Sequence, residues 1–186
     1  MIKAPSKIEG WLLPLEIGYI RSFARKNLPK NGLIVELGSY KGKSTVVWGC
    51  EAKKKNAKVI AIDNHITNDL NKFSGHSFLD DVYLSELVET VIPIFSDFET
   101  ASKFFKGDID ILFIDGNHLY KSVKRDFNNW SKFIKKGGWV VFHDYNNSFP
   151  GVVKFCKELQ LNNRNFKVDK RVGSLLFLKR VRGGQK

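Results

Sequence analysis

Cysteine is scarce in this 186-residue chain, which contains only Cys50 and Cys156. The two cysteines lie far apart in segments of apolar periodicity, without the short spacing that structural zinc sites use. The sequence therefore excludes a disulfide framework and a zinc ribbon. Buried free thiols are the favoured interpretation, because unpaired cysteine behaves as a small apolar side chain.

Long hydrophobic runs are also missing. An apolar run such as residues 138–142 is much shorter than the roughly 20 residues that a membrane-spanning helix needs. A secretory signal peptide would require an uninterrupted apolar stretch near the N-terminus, and Pro14 and Glu16 interrupt the candidate segment. We therefore expect a cytoplasmic protein without a membrane span.

Acidic residues are few compared with basic ones. The chain has 31 lysines and arginines against 19 acids, which gives a formal net charge of +12. Such a charge favours encounters with nucleic acid, acidic membrane surfaces or anionic sugars, but it identifies no partner. The hydrophobic content of 42% excludes wholesale disorder. The length predicts a single domain, in which residues 1–30 form a helical cap on a main unit of residues 31–186.

From residue 33 onward, short runs rich in β-branched residues alternate with helical patterns, which predicts an α/β fold with a parallel sheet. The predicted strands are 33–38, 58–63, 91–95, 110–115, 139–144, 166–172 and 174–180. The fourth and fifth are apolar on both faces and are expected at the centre. A helix is predicted over 120–134 and is expected to stop at the glycines that follow. The last two strands are predicted to form an antiparallel pair around a turn at 172–174.

The first strand ends in the segment VELGSYKGKST, which combines an acid with two glycines. The spacing from Glu36 through Gly38 to Gly42 matches neither the phosphate loop nor the dinucleotide fingerprint. Glycine lets a backbone turn sharply and approach a ligand closely, and Ser39 and Ser44 add hydroxyls to the turn. An acid at this position would repel a pyrophosphate, so the pattern favours a cationic or hydroxyl-bearing ligand.

The second predicted strand ends at Asp63, one strand away from the glycine turn. In doubly wound sheets an acid at this point binds the two hydroxyls of a ribose. The two features together favour a nucleoside-type cofactor, with Ser96 and Asp97 after the third strand expected near its base.

Four segments, GWLLPLE, IVELGSYKGKST, FIDGNHLYKSVKRDFNNW and KKGGWVVFHDY, follow one another over about residues 9–150. In order and spacing they resemble class I S-adenosylmethionine-dependent methyltransferases, specifically methyltransferase family 24. The resemblance implies a doubly wound, Rossmann-like sheet of seven mostly parallel strands with an antiparallel C-terminal strand. It also implies S-adenosylmethionine as the cofactor. The expected cofactor contacts are Glu36, Gly38, Ser39, Gly42, Ser44, Asp63, Ser96, Asp97 and Asp115.

The resemblance also implies roles for the acids at the ends of the fourth and fifth strands. Related O-methyltransferases use such acids to hold a divalent metal or to face the acceptor hydroxyl. By position this implicates Asp115, His143 and Asp144 as ligands of Mg²⁺, Mn²⁺ or Zn²⁺, although metal-dependent relatives often carry an acid in place of His143. A neutral His143 is the alternative general base. His118 is expected either to take part in catalysis or to cap a helix, and Asp126 to be a solvated partner of its basic neighbours.

The function expected from these residues is methylation of a hydroxyl on a small molecule or sugar, which the positive charge allows to be anionic. RNA methylation is a second hypothesis. The end of the fifth strand argues against it, because the sequence there is Phe-His-Asp-Tyr and lacks the catalytic lysine that a ribose methyltransferase would need. A third hypothesis is a cofactor-binding module without catalysis. A homodimer is an open alternative to a monomer. The polar stretch 64–78 is where a lid over the cofactor is expected.

Overall fold

The structure, a computed structural model, describes residues 3–66 and 73–182. These residues form one seven-stranded sheet in the order β3-β2-β1-β4-β5-β7-β6. The strands are β1 (Leu33–Leu37), β2 (Lys58–Asp63), β3 (Val91–Phe95), β4 (Ile109–Ile114), β5 (Ile134–Phe142), β6 (Phe166–Val172) and β7 (Leu175–Arg180). All neighbours pair in parallel except β7, which is antiparallel to both β5 and β6. The predicted fold class is confirmed.

Helices cover both faces of the sheet, as expected for parallel strands joined by crossover helices. They are α1 (Pro14–Asn27), α2 (Lys43–Lys53), α3 (Gly75–Leu84), α4 (Phe98–Phe104), α5 (Tyr120–Trp130) and α6 (Pro150–Asn162). One apolar core joins the sheet to the first three helices, and a second joins it to the last three. Every residue of β4 is buried, and apart from Asp110 its sequence is apolar on both faces.

The helix predicted over 120–134 is shorter in the structure. It ends at Trp130, a 3₁₀ turn follows at Ser131–Phe133, and the predicted glycine stop instead lies inside β5. The guanidinium of Arg180 donates hydrogen bonds to the carbonyls of Ser131 and Ile134, in the turn between α5 and β5. A distant residue of β7 therefore stabilises the backbone that follows this helix.

The N-terminal segment is fastened to the end of the β6–β7 hairpin. The carboxylate of Glu16 accepts hydrogen bonds from the backbone N–H of Leu13 and from the N–H and hydroxyl of Ser174, at 2.7 to 2.9 Å. Gly173 makes the turn with a φ of 59°, and a Cβ there would lie 2.6 Å from the carboxylate. The first helix thus begins at the same edge of the sheet where β5 ends. No helix in the described ranges has the length and apolarity to span a bilayer.

Candidate active site

A cavity of about 770 Å³ opens at the carboxyl edge of the parallel strands. Its volume falls within the range of about 300–1,000 Å³ that is usual for small-molecule sites. The segments after β1, β2, β3, β4 and β5 all contribute to its wall. The lining residues expected from the sequence are Gly38, Ser39, Ser44, Asp63, Ser96, Asp97, Asp115, His118, His143 and Asp144. Glu36 and Gly42, also expected there, are not part of the lining.

The glycine turn brings the ends of β1 and β4 together. Gly38 has a φ of 93°, and a Cβ on it would lie 2.1 Å from the carbonyl oxygen of Asp115. Only glycine permits both this backbone conformation and this approach. Gly42 has a φ of 91° and immediately precedes α2. A Cβ on Gly42 would lie 3.2 Å from the Phe78 ring. Gly42 therefore shapes the turn without facing the cavity.

Glu36 lies behind the cavity and not in its wall. Its side chain is fully buried and accepts a hydrogen bond from the hydroxyl of Thr45 in the first turn of α2. Burial raises the pKa of Glu36 to about 8, so its carboxyl group is mainly protonated at neutral pH. The structure thus corrects the expectation of a direct cofactor contact: Glu36 supports the start of α2.

Asp63 holds the glycine turn from the neighbouring strand. One carboxylate oxygen accepts hydrogen bonds from the backbone N–H groups of Ser39 and Tyr40 at 2.9 and 2.8 Å. The other oxygen accepts one from the backbone N–H of His65 at 2.7 Å. A carboxylate offers about four acceptor positions, so one is left for a hydroxyl in the cavity. A contact with one of the two expected ribose hydroxyls is therefore compatible with the structural role of Asp63 in the turn.

The segment after β3 forms the opposite wall. Asp97 begins α4 by accepting a hydrogen bond from the Thr100 N–H at 2.8 Å. Phe98, which the sequence analysis did not identify, packs against Gly116, where a Cβ would lie 2.5 Å from its ring. The flat side chain and the polar groups of Ser96 and Asp97 together form a wall suited to an aromatic base.

Three side chains with metal-ligand chemistry meet at the other end of the cavity. The Nε2 atom of His118 lies 2.8 Å from Oδ2 of Asp144, and donor atoms of Asp115, His118 and Asp144 all lie within 4.8 Å of one another. All three side chains are partly exposed. The start of α6 packs closely behind them, because a Cβ on Gly151 would lie 2.3 Å from the carbonyl oxygen of His118.

His143 is buried directly behind this cluster, with 5% of its surface exposed. Its Nδ1 lies 2.9 Å from Asp115 and 3.3 Å from Asp144, and its Nε2 lies 3.6 Å from Glu16. Burial opposes protonation of the ring, but the charge of Asp115 and its hydrogen bond to Nδ1, together with the nearby carboxylates of Asp144 and Glu16, raise the pKa of His143 to about 12. His143 is therefore an imidazolium at neutral pH. In the metal set expected from the sequence, the structure substitutes His118 for His143.

Two acids near His143, Glu16 and Asp144, have lowered pKa values. Burial would raise the pKa of Glu16, but the nearby imidazole of His143 and the hydrogen bonds from Leu13 and Ser174 lower it to about 2. The pKa of Asp144 is likewise lowered, against the effect of burial, by its hydrogen bonds to His118 and His143. The buried imidazole of His143 thus favours the ionised forms of Glu16 and Asp144.

Residues 9–12 close the front of the cavity, a contribution that sequence reasoning missed. The Tyr40 hydroxyl donates to Glu9 at 3.1 Å, and Lys43 Nζ donates to the carbonyl of Gly10 at 2.9 Å. The ring of Trp11 lies 5.1 Å from that of Tyr40. The only sequence signal for this wall was the GWLLPLE segment of the family resemblance.

The stretch expected to form a lid is described in part. Asn64 and Ile66 line the cavity, and the isolated bridge between Ile66 and Phe73 leads into α3. Residues 67–72 lie outside the described residues. His65, which the sequence placed in a polar loop, is buried and lies 3.0 Å from the Ser74 hydroxyl. Of the two cysteines, Cys156 is buried as expected, whereas Cys50 is partly exposed.

The sequence and fold of the chain are similar to those of known proteins. Residues 35–145 match the sequence model of a methyltransferase domain, methyltransferase family 24. A protein of Acanthamoeba polyphaga mimivirus, itself uncharacterised, is 31% identical in an alignment 141 residues long that covers 68% of this chain and 60% of that protein. The chain therefore spans less than two thirds of the length of this relative.

Solved structures share the fold at low identity. A Podospora anserina methyltransferase with bound S-adenosylhomocysteine has a TM-score of 0.73 and 16% identity, covering 92% of this chain and 80% of that one. A Staphylococcus aureus protein described as a caffeoyl-CoA O-methyltransferase has a TM-score of 0.75 and 13% identity, covering 95% and 87%. The family match spans more than half of the chain and includes the glycine turn, Asp63, Asp115 and Asp144. The chain belongs to methyltransferase family 24, whose sequence model describes a methyltransferase domain.

Proposed function

We propose that the chain methylates a hydroxyl oxygen of a small molecule or sugar. The observation that carries the proposal is the cluster of Asp115, His118 and Asp144, which opens onto the same cavity as the glycine turn. Carboxylates and an imidazole at this position can orient a hydroxyl and assist its deprotonation. The description of the Staphylococcus aureus neighbour as an O-methyltransferase agrees with an oxygen acceptor.

The cofactor would lie between the two ends of the cavity. The N–H groups and hydroxyls near Gly38, Ser39 and Ser44 would surround its amino-acid part, and Asp63 would accept a ribose hydroxyl. The segment of Ser96 and Asp97 would meet the base. Held in this way, the cofactor would present its methyl group to the acidic cluster, and alignment of the reacting atoms would supply most of the acceleration.

The donor set of the cluster fits a divalent cation. Two carboxylates and one imidazole from Asp115, Asp144 and His118 suit Mn²⁺, while Mg²⁺ favours oxygen ligands alone. A bound cation would supply Lewis acidity that lowers the pKa of the acceptor hydroxyl. The chain itself would hold the carboxylates of Asp115 and Asp144 in place through the buried ring of His143. Glu16, on the other side of that ring, would hold His143.

Without a cation, the proton acceptor would be His118 and not His143. The side chain of His118 is 42% exposed and hydrogen-bonds Asp144, whereas His143 is buried and already protonated. In that version the O–H bond of the acceptor breaks and its proton goes to His118. The new oxygen–carbon bond forms as the sulfur–carbon bond breaks, which leaves S-adenosylhomocysteine.

The test combines turnover, cofactor binding and metal binding in the same variants. We expect Asp115→Asn and Asp144→Asn to abolish methyl transfer from labelled cofactor across a panel of phenols and sugars. Calorimetry should show that S-adenosylhomocysteine affinity changes by only a few-fold, because the cofactor contacts lie elsewhere. Asp80→Asn, on the exposed side of α3, is the matched control.

The effect of removing metal distinguishes cation-assisted deprotonation of the acceptor from deprotonation by His118. If a cation is required, chelation should mimic the variants, and a Mn²⁺ titration followed by electron paramagnetic resonance should show binding that Asp144→Asn removes. If chelation has no effect, His118→Gln should lower the rate by about 10²–10⁴, the usual worth of a positioned base. Full activity of both aspartate variants would refute the proposal. Labelling of RNA in place of the panel would refute the small-molecule acceptor.

A further inference from the structure

The net positive charge of the chain comes from its C-terminal third. Residues 1–120 contain fifteen basic and fifteen acidic side chains, whereas residues 121–186 contain sixteen basic and four acidic ones. The whole net charge of +12 therefore belongs to the part of the fold that includes α5, β5, α6, β6 and β7. Such asymmetry between two parts of a chain is typical of proteins that bind a polyanion.

Three lysines of this part share one face of the β6–β7 hairpin. Lys167 and Lys179 are direct partners across the two strands, and Lys170 pairs with β7 two residues before Lys179. Partners, and alternate residues of one strand, point to the same side of a sheet. The side is that of α1, since Lys170 Nζ lies 5.3 Å from the Tyr19 ring centroid and Lys179 Nζ 5.2 Å from that of Trp139.

The stability of the hairpin does not account for this arrangement. Like charges directly opposite each other in an antiparallel pair are destabilising. In the described part of this third, the lysines and arginines that pair with a carboxylate are Lys124, Arg125 and Lys135, and none of them is on the hairpin. Asp169 is the single acid of β6 and β7, and it lies at the irregularity between Val168 and Lys170.

We propose that the lysine face, formed by Lys167, Lys170 and Lys179, binds the phosphate backbone of a nucleic acid. Phosphate contacts of this kind release counterions and do not depend on base sequence. A membrane surface fits less well, because the exposed large apolar side chains among described residues from 121 onward are Leu161 and Val168. Val168 points to the opposite side of the hairpin. The contact attaches the enzyme to a polymer and does not make that polymer the methyl acceptor.

The salt dependence of binding tests the proposal. Fluorescence anisotropy of a labelled single-stranded oligonucleotide, measured at several salt concentrations, gives the slope of log affinity against log salt. Each phosphate contact contributes about 0.7 to this slope for a single strand. The triple variant Lys167→Gln, Lys170→Gln and Lys179→Gln should therefore reduce the slope by about 2. Glutamine keeps an apolar stem over the aromatic rings, and thermal unfolding checks that the variant is folded.

A second triple variant controls for net charge. Lys53→Gln, Lys54→Gln and Lys103→Gln remove the same charge from lysines that are ion-paired with glutamates elsewhere. Its slope should equal that of the unaltered protein. Equal losses in both triples, or no loss in the first, would overturn the proposal. Binding to phosphatidylserine vesicles that depends on the lysine face, without oligonucleotide binding, would overturn it in favour of a membrane partner.

Discussion

Asp63 carries two roles in a single side chain. Its carboxylate orders the turn that begins at Ser39, and it is expected to accept a ribose hydroxyl as well. Asp63→Ala should therefore weaken S-adenosylhomocysteine binding by about 1.5–3 kcal/mol, the range for hydrogen bonds to charged groups. Calorimetry measures this loss, with Asp80→Asn as the control. Unchanged affinity in a folded variant would contradict the assignment.

Two glycines with similar backbone angles separate conformational strain from steric exclusion. Gly38 has a φ of 93° and no space for a Cβ, whereas Gly137 has a φ of 84° and no atom within 4 Å of a Cβ position. Gly137→Ala should cost about 1–2 kcal/mol, the cost of a left-handed backbone alone. Gly38→Ala should cost at least about 3 kcal/mol, because overpacking adds to that strain. Urea unfolding compares them, and equal costs would show that the loop yields freely.

His143 shows how a residue's surroundings change its expected chemistry. The sequence allowed a neutral base, because the unperturbed pKa of histidine lies near neutrality. The structure surrounds the ring with Glu16, Asp115 and Asp144, from three separate parts of the chain. Only one of these acids is a sequence neighbour, so the protonated state could not be read from the local pattern.

At the level of secondary-structure elements, α5 contains a buried acid that the sequence analysis expected in solvent. Asp126 is 1% exposed, and burial raises its pKa to about 6, while the adjacent Arg125 acts in the opposite direction. An acid with a raised folded pKa makes folding less favourable once it ionises. Stability contributed by the neutral form is therefore lost as the pH rises from about 4 to 6.

Asp126→Asn tests this effect on α5. The amide cannot ionise, so the free energy of unfolding at pH 7 should rise by about 2 kcal/mol, less than the full linkage value because Arg125 loses its partner. Near pH 3.5 the gain should vanish, since the acid is then protonated in both states. Urea unfolding at the two pH values measures it, with the exposed Asp108→Asn as the control. A gain that does not depend on pH would point to packing and not to charge.

At the scale of the whole molecule, the N-terminal cap, residues 1–30, shares an apolar core with the sheet. Ile20 and Phe23 of α1 belong to the same apolar core as β-strand residues, and the Phe23 ring lies 4.9 Å from that of Trp139. We therefore propose that residues 1–30 and 31–186 form one domain. Fluorescence and circular dichroism should report a single urea transition with the same midpoint. An earlier transition of the tryptophan signal would indicate that the cap unfolds separately.

The sequence by itself determined the class of the fold and the edge of the sheet where the site lies. Runs of apolar residues set the strands, and the acids at the ends of β2 and β4 marked the cavity, because parallel strands end at one edge. The family resemblance added the cofactor. Local signals sufficed for these features because they repeat with the period of one strand or one helix.

Tertiary structure decided the details that depend on distant contacts. Arg180 binds the carbonyls of the turn that follows α5, residues 9–12 close the cavity, and Glu36 is excluded from it. The donor atoms of His118, and not of His143, are grouped with those of Asp115 and Asp144 in the candidate metal set. Each of these outcomes depends on groups far apart along the chain, whose approach and desolvation become defined only when both cores are packed.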